Sequence, residues 1–287
     1  MRTLLVVILL IVYAECGAQQ QTGVSLYLKK DKLPLDSIES ASGNLFKKLG
    51  HHGPAIENQW IGLRLYFDKR TAIDVYSKQK PGLEIREKHW YPSKKEQMDG
   101  WGADYYKVGR SIGLGGIRLW DGQALVPLHP VTKRSANVVA TSDSSYMEML
   151  SSGVSFKDQT VDILIRVTVF SEKREAKVEA ISMTTTPVQF ASGINYFGNL
   201  KIEKGEDYIA TWGIHPEDVA AEKVSVGAAI LFNKDDFEKS IDDGSEYLLI
   251  SKPLNHIETW ITSANEREEV INSFEKFIRE IENLEIN

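Results

Sequence analysis

The chain has 287 residues, 42% of them hydrophobic and 26% charged, which is the composition of a folded protein and not of a disordered or low-complexity one. Its formal net charge is −6, and its basic residues cluster no further than pairs such as Lys94 and Lys95, which excludes a broad nucleic-acid-binding surface. A single cysteine, Cys16, excludes an internal disulfide framework.

The chain begins with Met1 and Arg2, then the apolar run "TLLVVILLIVY", then small residues in "AECGAQQ". This is the layout of a secretory signal peptide, with cleavage after Ala18. The apolar run is too short to cross a bilayer comfortably. Cys16 leaves a second route open, in which it is lipidated and becomes the mature N-terminus, although Glu15 replaces the small residue such signals favour. Residues 1–18 are therefore expected to be a signal peptide and 19–287 a single domain, exported to the periplasm or medium and tied to the outer membrane only if Cys16 is lipidated.

Beyond residue 19 the sequence reads mostly as strands. In "WIGLRLYFD" (60–68), Ile61, Leu63, Leu65 and Phe67 alternate with Gly62, Arg64, Tyr66 and Asp68. In "TVDILIRVTVF" (160–170), Val161, Ile163, Ile165, Val167 and Val169 share one face. "EAKVEAISM", "QFASGINYF", "DYIATWGI", "VSVGAAILF" and "EYLLISK" are further runs rich in β-branched and aromatic residues. Helical spacing of Val270, Phe274, Phe277, Ile278, Ile281 and Leu284 predicts a helix over 263–284, with Ser263 and Glu266 as its capping box. A shorter helix is expected over "DSIESASGNLFKKL" (36–49). Many short-spaced strands with one terminal helix predict a large antiparallel β-sandwich, mainly β, and not a doubly wound α/β fold.

Six glycines punctuate "GWGADYYKVGRSIGLGGIRLW" (100–120). A phosphate-cradling loop needs a strand before it and a helix after it, yet "GLGG" runs into the strand-like "IRLW", and no G-x-x-x-x-G-K-[ST] is present. Two readings remain. One is a bulged strand edge. The other is a sugar-binding surface, in which Trp101, Tyr105, Tyr106 and Trp120 offer flat faces to sugar rings while Asp104, Lys107, Arg110 and Arg118 meet hydroxyls and carboxylates. Arg64, Tyr66 and Asp68 on one strand face, and His256, Glu258 and Trp260 on another, repeat the mix. There is no H-E-x-x-H or Cys/His cluster for zinc and no G-x-S-x-G elbow. No metal ligand set and no cofactor is assigned.

The blocks "HHGPAIENQWIGLRLYFD" (51–68), "AIDVY" (72–76), "WGADYYKVG" (101–109) and "GLGGIRLW" (113–120) resemble the DUF4861 family of secreted bacterial proteins. Glu57, Asn58, Arg64, Asp74, Trp101, Asp104, Tyr106, Lys107 and Gly109 match its pattern, and Gln59 stands where an acidic residue is common. The resemblance implies a galactose mutarotase-like β-sandwich, shared with many polysaccharide lyases, and a role in breaking down uronate-containing polymers. It places a polysaccharide or oligosaccharide as the partner. For β-elimination, Lys107, Arg110 or Arg64 would neutralise the uronate carboxylate, and His52 or Tyr106 would exchange protons. For hydrolysis or epimerisation, Glu57 and Asp104 would act with His52. Arg64, Tyr66, Trp101, Arg110, Trp120, His256 and Trp260 would bind substrate in either case. In a third alternative the same residues bind a glycan without chemistry.

Overall fold

A computed structural model describes residues 21–87, 92–216 and 220–284; the expected signal peptide and Cys16 lie outside them. The elements run β1 (Thr22–Ser25), β2 (Ser37–Ser40), β3 (Ala55–Asn58), β4 (Ile61–Leu65), β5 (Ile73–Ser77), a short helix α1 (Lys94–Met98), β6 (Arg118–Trp120), β7 (Leu125–Val126), β8 (Lys133–Ala140), β9 (Ser144–Phe156) and β10 (Gln159–Phe170). They continue with β11 (Ala176–Ser182), β12 (Val188–Asn195), β13 (Lys201–Lys204), β14 (Tyr208–Gly213), β15 (Val226–Phe232), β16 (Phe237–Asp242), β17 (Glu246–Leu254), β18 (His256–Asn265) and the C-terminal helix α2 (Phe274–Glu282). The protein is mainly β, an antiparallel sandwich with a C-terminal helix, as its alternating patterns predict.

One layer is a nine-stranded sheet, ordered β13-β14-β15-β18-β11-β10-β9-β8-β2. The other combines a four-stranded sheet, β1-β3-β4-β5, with a five-stranded one, β16-β17-β12-β6-β7. Inward residues of all three sheets share one core, including Ile56, Leu63 and Val75, then Ile163, Ile165 and Val167, then Phe190 and Leu249. The strand face expected on β10 is fully buried in it, from Val161 to Val169.

The glycines of the "GLGG" stretch join the two smaller sheets. Gly113 bridges to Ile73 of β5, Leu114 bridges to Ile194 of β12, and the Gly115 N–H donates to the Gly193 carbonyl at 2.8 Å. Gly113 has φ +76°, and a Cβ there would collide with the Ile73 carbonyl oxygen. Glycine is required because the backbone is both left-handed and squeezed between two strands.

Helix α2 lies on the opposite face of the large sheet. Phe277, Ile278 and Ile281 pack with Trp212, Ala229 and Trp260, and Gly227 makes room for the rings of Trp212 and Phe277. The helix is shorter than its pattern predicts. Ser263 is not its cap: it lies in β18 opposite Ala228, and its hydroxyl donates to the Gly227 carbonyl. Ser273 caps instead, accepting from the Lys276 N–H, and Val270 is 75% exposed. The expected helix over 36–49 is absent, replaced by β2 and a turn at Gly43 with φ +64°.

Candidate functional site

Strand alternation sends Ile61, Leu63 and Leu65 of β4 into the core and turns Gly62 and Arg64 to the other face of the small sheet. Glu57 of β3 and Asp74 and Tyr76 of β5 share that face, because Glu57 pairs with Gly62, and Asp74 and Tyr76 pair with Arg64 and Gly62. Parts of the 78–106 segment cover it. The backbone N–H groups of Glu84 and Ile85 donate to Glu57 at 2.7 and 2.9 Å, and the Gly102 N–H donates to Glu84 at 2.8 Å. The charges on this face are therefore buried.

Arg64 is 2% exposed and lies between two carboxylates, with Nη2 3.0 Å from Asp74 and in hydrogen-bond contact with Asp104. The Tyr66 hydroxyl donates to Asp74 at 2.6 Å. Burial, followed by the Asp74 charge, holds the Tyr66 phenol far above its usual range, so it stays protonated. His52 meets Tyr66 edge to face at 5.7 Å and stacks flat on Phe46 at 3.8 Å. The Arg70 guanidinium lies over both rings, 4.4 Å from that of Phe46 and 4.6 Å from that of Tyr66, and its Nη2 donates to Asp68 at 2.6 Å.

His52 is half-buried, with Nδ1 3.0 Å from the Phe46 carbonyl. A carbonyl only accepts, so Nδ1 carries the proton and Nε2 is the basic nitrogen. Burial pushes His52 down to about 4, with Lys29, Arg64 and Arg70 pushing the same way. His51 and His52 both have left-handed backbones, with φ +53° and +63°. Two consecutive non-glycine residues in that region store strain, which is characteristic of functional sites.

The structure thus unites His52, Arg64, Tyr66 and Asp104, and adds Phe46, Arg70 and Asp74. Glu57 shares the face but is sealed: it is 1% exposed, paired with Lys78 at 2.5 Å, and capped by backbone N–H groups. That removes it as a hydrolytic acid or base. Tyr106 is buried, hydrogen-bonds Asn195, and is held well above its usual pKa by burial, so it is packing and not an exposed base. Asp104, Tyr106 and Lys107 do not turn into one cleft. Residues 101–107 form an irregular segment in which Asp104 turns to Arg64, Tyr106 turns to Asn195, and the Lys107 N–H donates to His215 Nδ1 at 3.1 Å.

The other expected binding residues scatter. Trp101 is half-buried, its carbonyl held by the Gln79 amide at 2.9 Å. Arg110 is exposed next to Gly109, whose carbonyl accepts from Arg70. Trp120 is packed with Ile112, Leu248 and Ile250, away from the cluster. His256 and Trp260 lie on the outer face of the large sheet, the latter with Phe170 and α2 residues. Two sheets separate them from Arg64, because the adjacent Ile257 and Ile261 point into the shared core. The only group of potential metal ligands found among the described residues, Glu179, His256 and Glu258, is on that outer face, and Lys177 Nζ lies 3.7 Å from Glu179 and 3.5 Å from Glu258.

A family model described as "Domain of unknown function (DUF4861)" matches residues 10–285. No curated protein sequence matches the chain. Among solved structures, the chain is similar to a candidate aldose 1-epimerase from Klebsiella pneumoniae, with 10% identity, TM-score 0.38, and coverage of 85% of this chain and 91% of that one. It is also similar to a 4-α-glucanotransferase from Thermococcus litoralis, with 9% identity, TM-score 0.37, and coverage of 74% and 39%. A third is an α-galactosidase from Geobacillus stearothermophilus, with 7% identity, TM-score 0.28, and coverage of 80% and 40%. The chain spans less than half of the latter two.

Proposed function

The chain belongs to the DUF4861 family, and we propose that it acts on a uronate-containing polysaccharide or oligosaccharide by β-elimination at the His52–Arg64 cluster. The observation that carries this reading is a half-buried histidine, neutral above about pH 4, set among cations. A uronate brings a further negative charge to that histidine. Its carboxylate, entering beside Lys29, Arg64 and Arg70, offsets the cations that depress His52 and makes Nε2 a stronger base as substrate binds. Asp74 and Asp104 already neutralise Arg64. Arg70 is also paired, with Asp68, but it is better placed to meet the carboxylate, because its side chain is partly exposed and its aromatic stacking fixes the guanidinium plane.

In the reaction, His52 Nε2 takes the C5 proton. The C–H electron pair forms the C4–C5 double bond, and the C4–O4 bond breaks. The histidinium formed then returns its proton to the leaving oxygen. One residue serves as base and acid in turn, and no redox partner is needed. Export through the signal peptide expected over residues 1–18 belongs to the same proposal, since such polymers lie outside the cell. The mass of the mature N-terminus in the native host checks it.

Incubation with a panel of uronate polysaccharides tests the chemistry. New absorbance from an unsaturated product, reduced about 100-fold or more in His52→Ala, is the expected result. Released oligosaccharides without that absorbance would replace elimination with hydrolysis. Retention without products would leave a glycan-binding protein.

A further inference from the structure

We propose that the cavity beside Asp104 is a subsite for one sugar ring, recognised through a hydroxyl oxygen by the Nε2–H of His215. It rests on the proposed carbohydrate ligand for the class of molecule, but its geometry stands apart from the His52 chemistry. The cavity has a volume of about 250 Å³ and is lined by Asp104, Tyr105, His215, Pro216, Glu222 and Lys223, among others. Ordinary ligand pockets run from ~300 Å³ upward, so this one suits a single ring.

The key is the state of His215. Its ring is 5% exposed and packs against Tyr106 at 4.7 Å and Phe197 at 5.1 Å. Nδ1 accepts the Lys107 N–H at 3.1 Å. A nitrogen that accepts carries no proton, so the proton of the neutral ring is on Nε2. Burial pushes the ring down to about 4, which keeps it neutral at ordinary pH. Nε2 is buried and has no hydrogen-bond partner among the described residues. A buried donor without an acceptor is costly, and such donors are rare enough to call for an explanation. A ligand oxygen in the adjoining cavity provides one.

The position fits a chain ligand. Asp104 touches Arg64 of the candidate site and also lines this cavity. On its other side Glu222 pairs with Arg267, which lines a larger cleft of about 610 Å³ with Trp60 and Lys80. The His215 cavity therefore connects to the His52 cluster through the Asp104–Arg64 contact and to the Trp60 cleft through the Glu222–Arg267 pair, an order that consecutive sugar-binding positions would have.

Histidine-labelled protein is titrated with trigalacturonate and with the neutral maltotriose, following the His215 ring by NMR. The expected result is an Nε2–H tautomer whose proton shifts with at least one of the two sugars. His215→Asn keeps an acceptor for the Lys107 N–H but shortens the reach to the cavity. It should weaken that sugar's binding about tenfold, the equivalent of one hydrogen bond. His215→Gln, whose amide reaches the Nε2 position, should retain part of the affinity. No shift with either sugar would mean that the cavity holds water only and would overturn the subsite, as would wild-type affinity in His215→Asn. A shift with maltotriose alone keeps the subsite and removes the uronate reading. His52-dependent turnover of trigalacturonate with a silent His215 does the reverse.

Discussion

Two strand faces in this molecule carry charges in alternation and meet opposite fates. On the outer face of the large sheet, Asn137, Glu148, Arg166, Glu179 and Glu258 stand side by side across five strands, with Arg166 2.5 Å from Glu148 and its side chain 38% exposed. On the outer face of the small sheet, Glu57, Arg64 and Asp74 are each no more than 3% exposed. The composition of a strand face does not separate the two. The difference is the segment that follows β5, which lays backbone N–H groups on Glu57 and Glu84 and brings Asp104 to Arg64. Charge that water solvates on one face is solvated by peptide dipoles and counter-charges on the other, and only the second is rigid enough to position a reaction.

The largest effect expected from this contrast is at Lys78. Its ammonium donates to Glu57 at 2.5 Å and to the carbonyls of Asn58 and Gly82 at 2.6 and 2.5 Å, and both members of the ion pair are 1% exposed. Lys78→Met leaves a buried carboxylate without its counter-charge and should cost about 3–5 kcal/mol in urea unfolding. Adding Glu57→Gln should recover part of that loss, since removing both charges removes the uncompensated one. A Lys78→Met protein as stable as wild type would mean that this face is wetter than its packing indicates.

Part of this architecture is legible in the sequence. Val161 to Val169 announce a buried strand face, and Phe277, Ile278 and Ile281 announce the apolar side of α2. Where the reading fails, a local signal loses to pairing at a distance. Ser263 and Glu266 have the spacing of a capping box, but β15 claims Ser263 as a strand neighbour. The candidate site divides in the same way. His52, Arg64, Tyr66 and Asp104 lie in blocks dense with charge and aromatic rings and could be named from sequence. Phe46, Arg70 and His215 carry no pattern of their own. Phe46 and Arg70 gain their role only when the chain folds back around His52, and His215 meets Lys107 across 108 residues of chain.

His52 and His215 also make stability respond to acid. His52 and His215 are both pushed down to about 4 by burial, against about 6.5 in an unfolded chain. Between those values the unfolded state binds more protons than the native one. Stability from these two groups is therefore complete above about pH 6.5 and is lost as pH falls toward 4, with a slope of up to about 1.4 kcal/mol per pH unit for His215 and less for the half-buried His52, which water screens. Urea midpoints at pH 7.5, 5.5 and 4.5 measure it. His215→Asn should flatten the curve in that window, because it removes one of the two protonation sites. An unaltered slope in the variant would show that His215 is solvated in the native state.

The smallest effect belongs to the partly exposed row on the large sheet. Glu148 accepts from Arg166 Nε at 2.6 Å, a geometry as good as any in the buried cluster. Arg166 also has Glu179 as a cross-strand neighbour, so loss of one acidic partner leaves another within reach of its charge. Water reaches the arginine in either state. Surface pairs of this kind contribute about 0–1 kcal/mol, and salt screens them further. Glu148→Gln should therefore lower stability by less than about 1 kcal/mol at low salt and by less again at high salt. Lys78→Met should keep its cost under the same salt, because its pair is closed to ions. If Glu148→Gln approached the Lys78→Met value, burial would not be what distinguishes the two faces, and the geometry of individual ion pairs would have to explain why one sheet solvates its charges and the other builds with them.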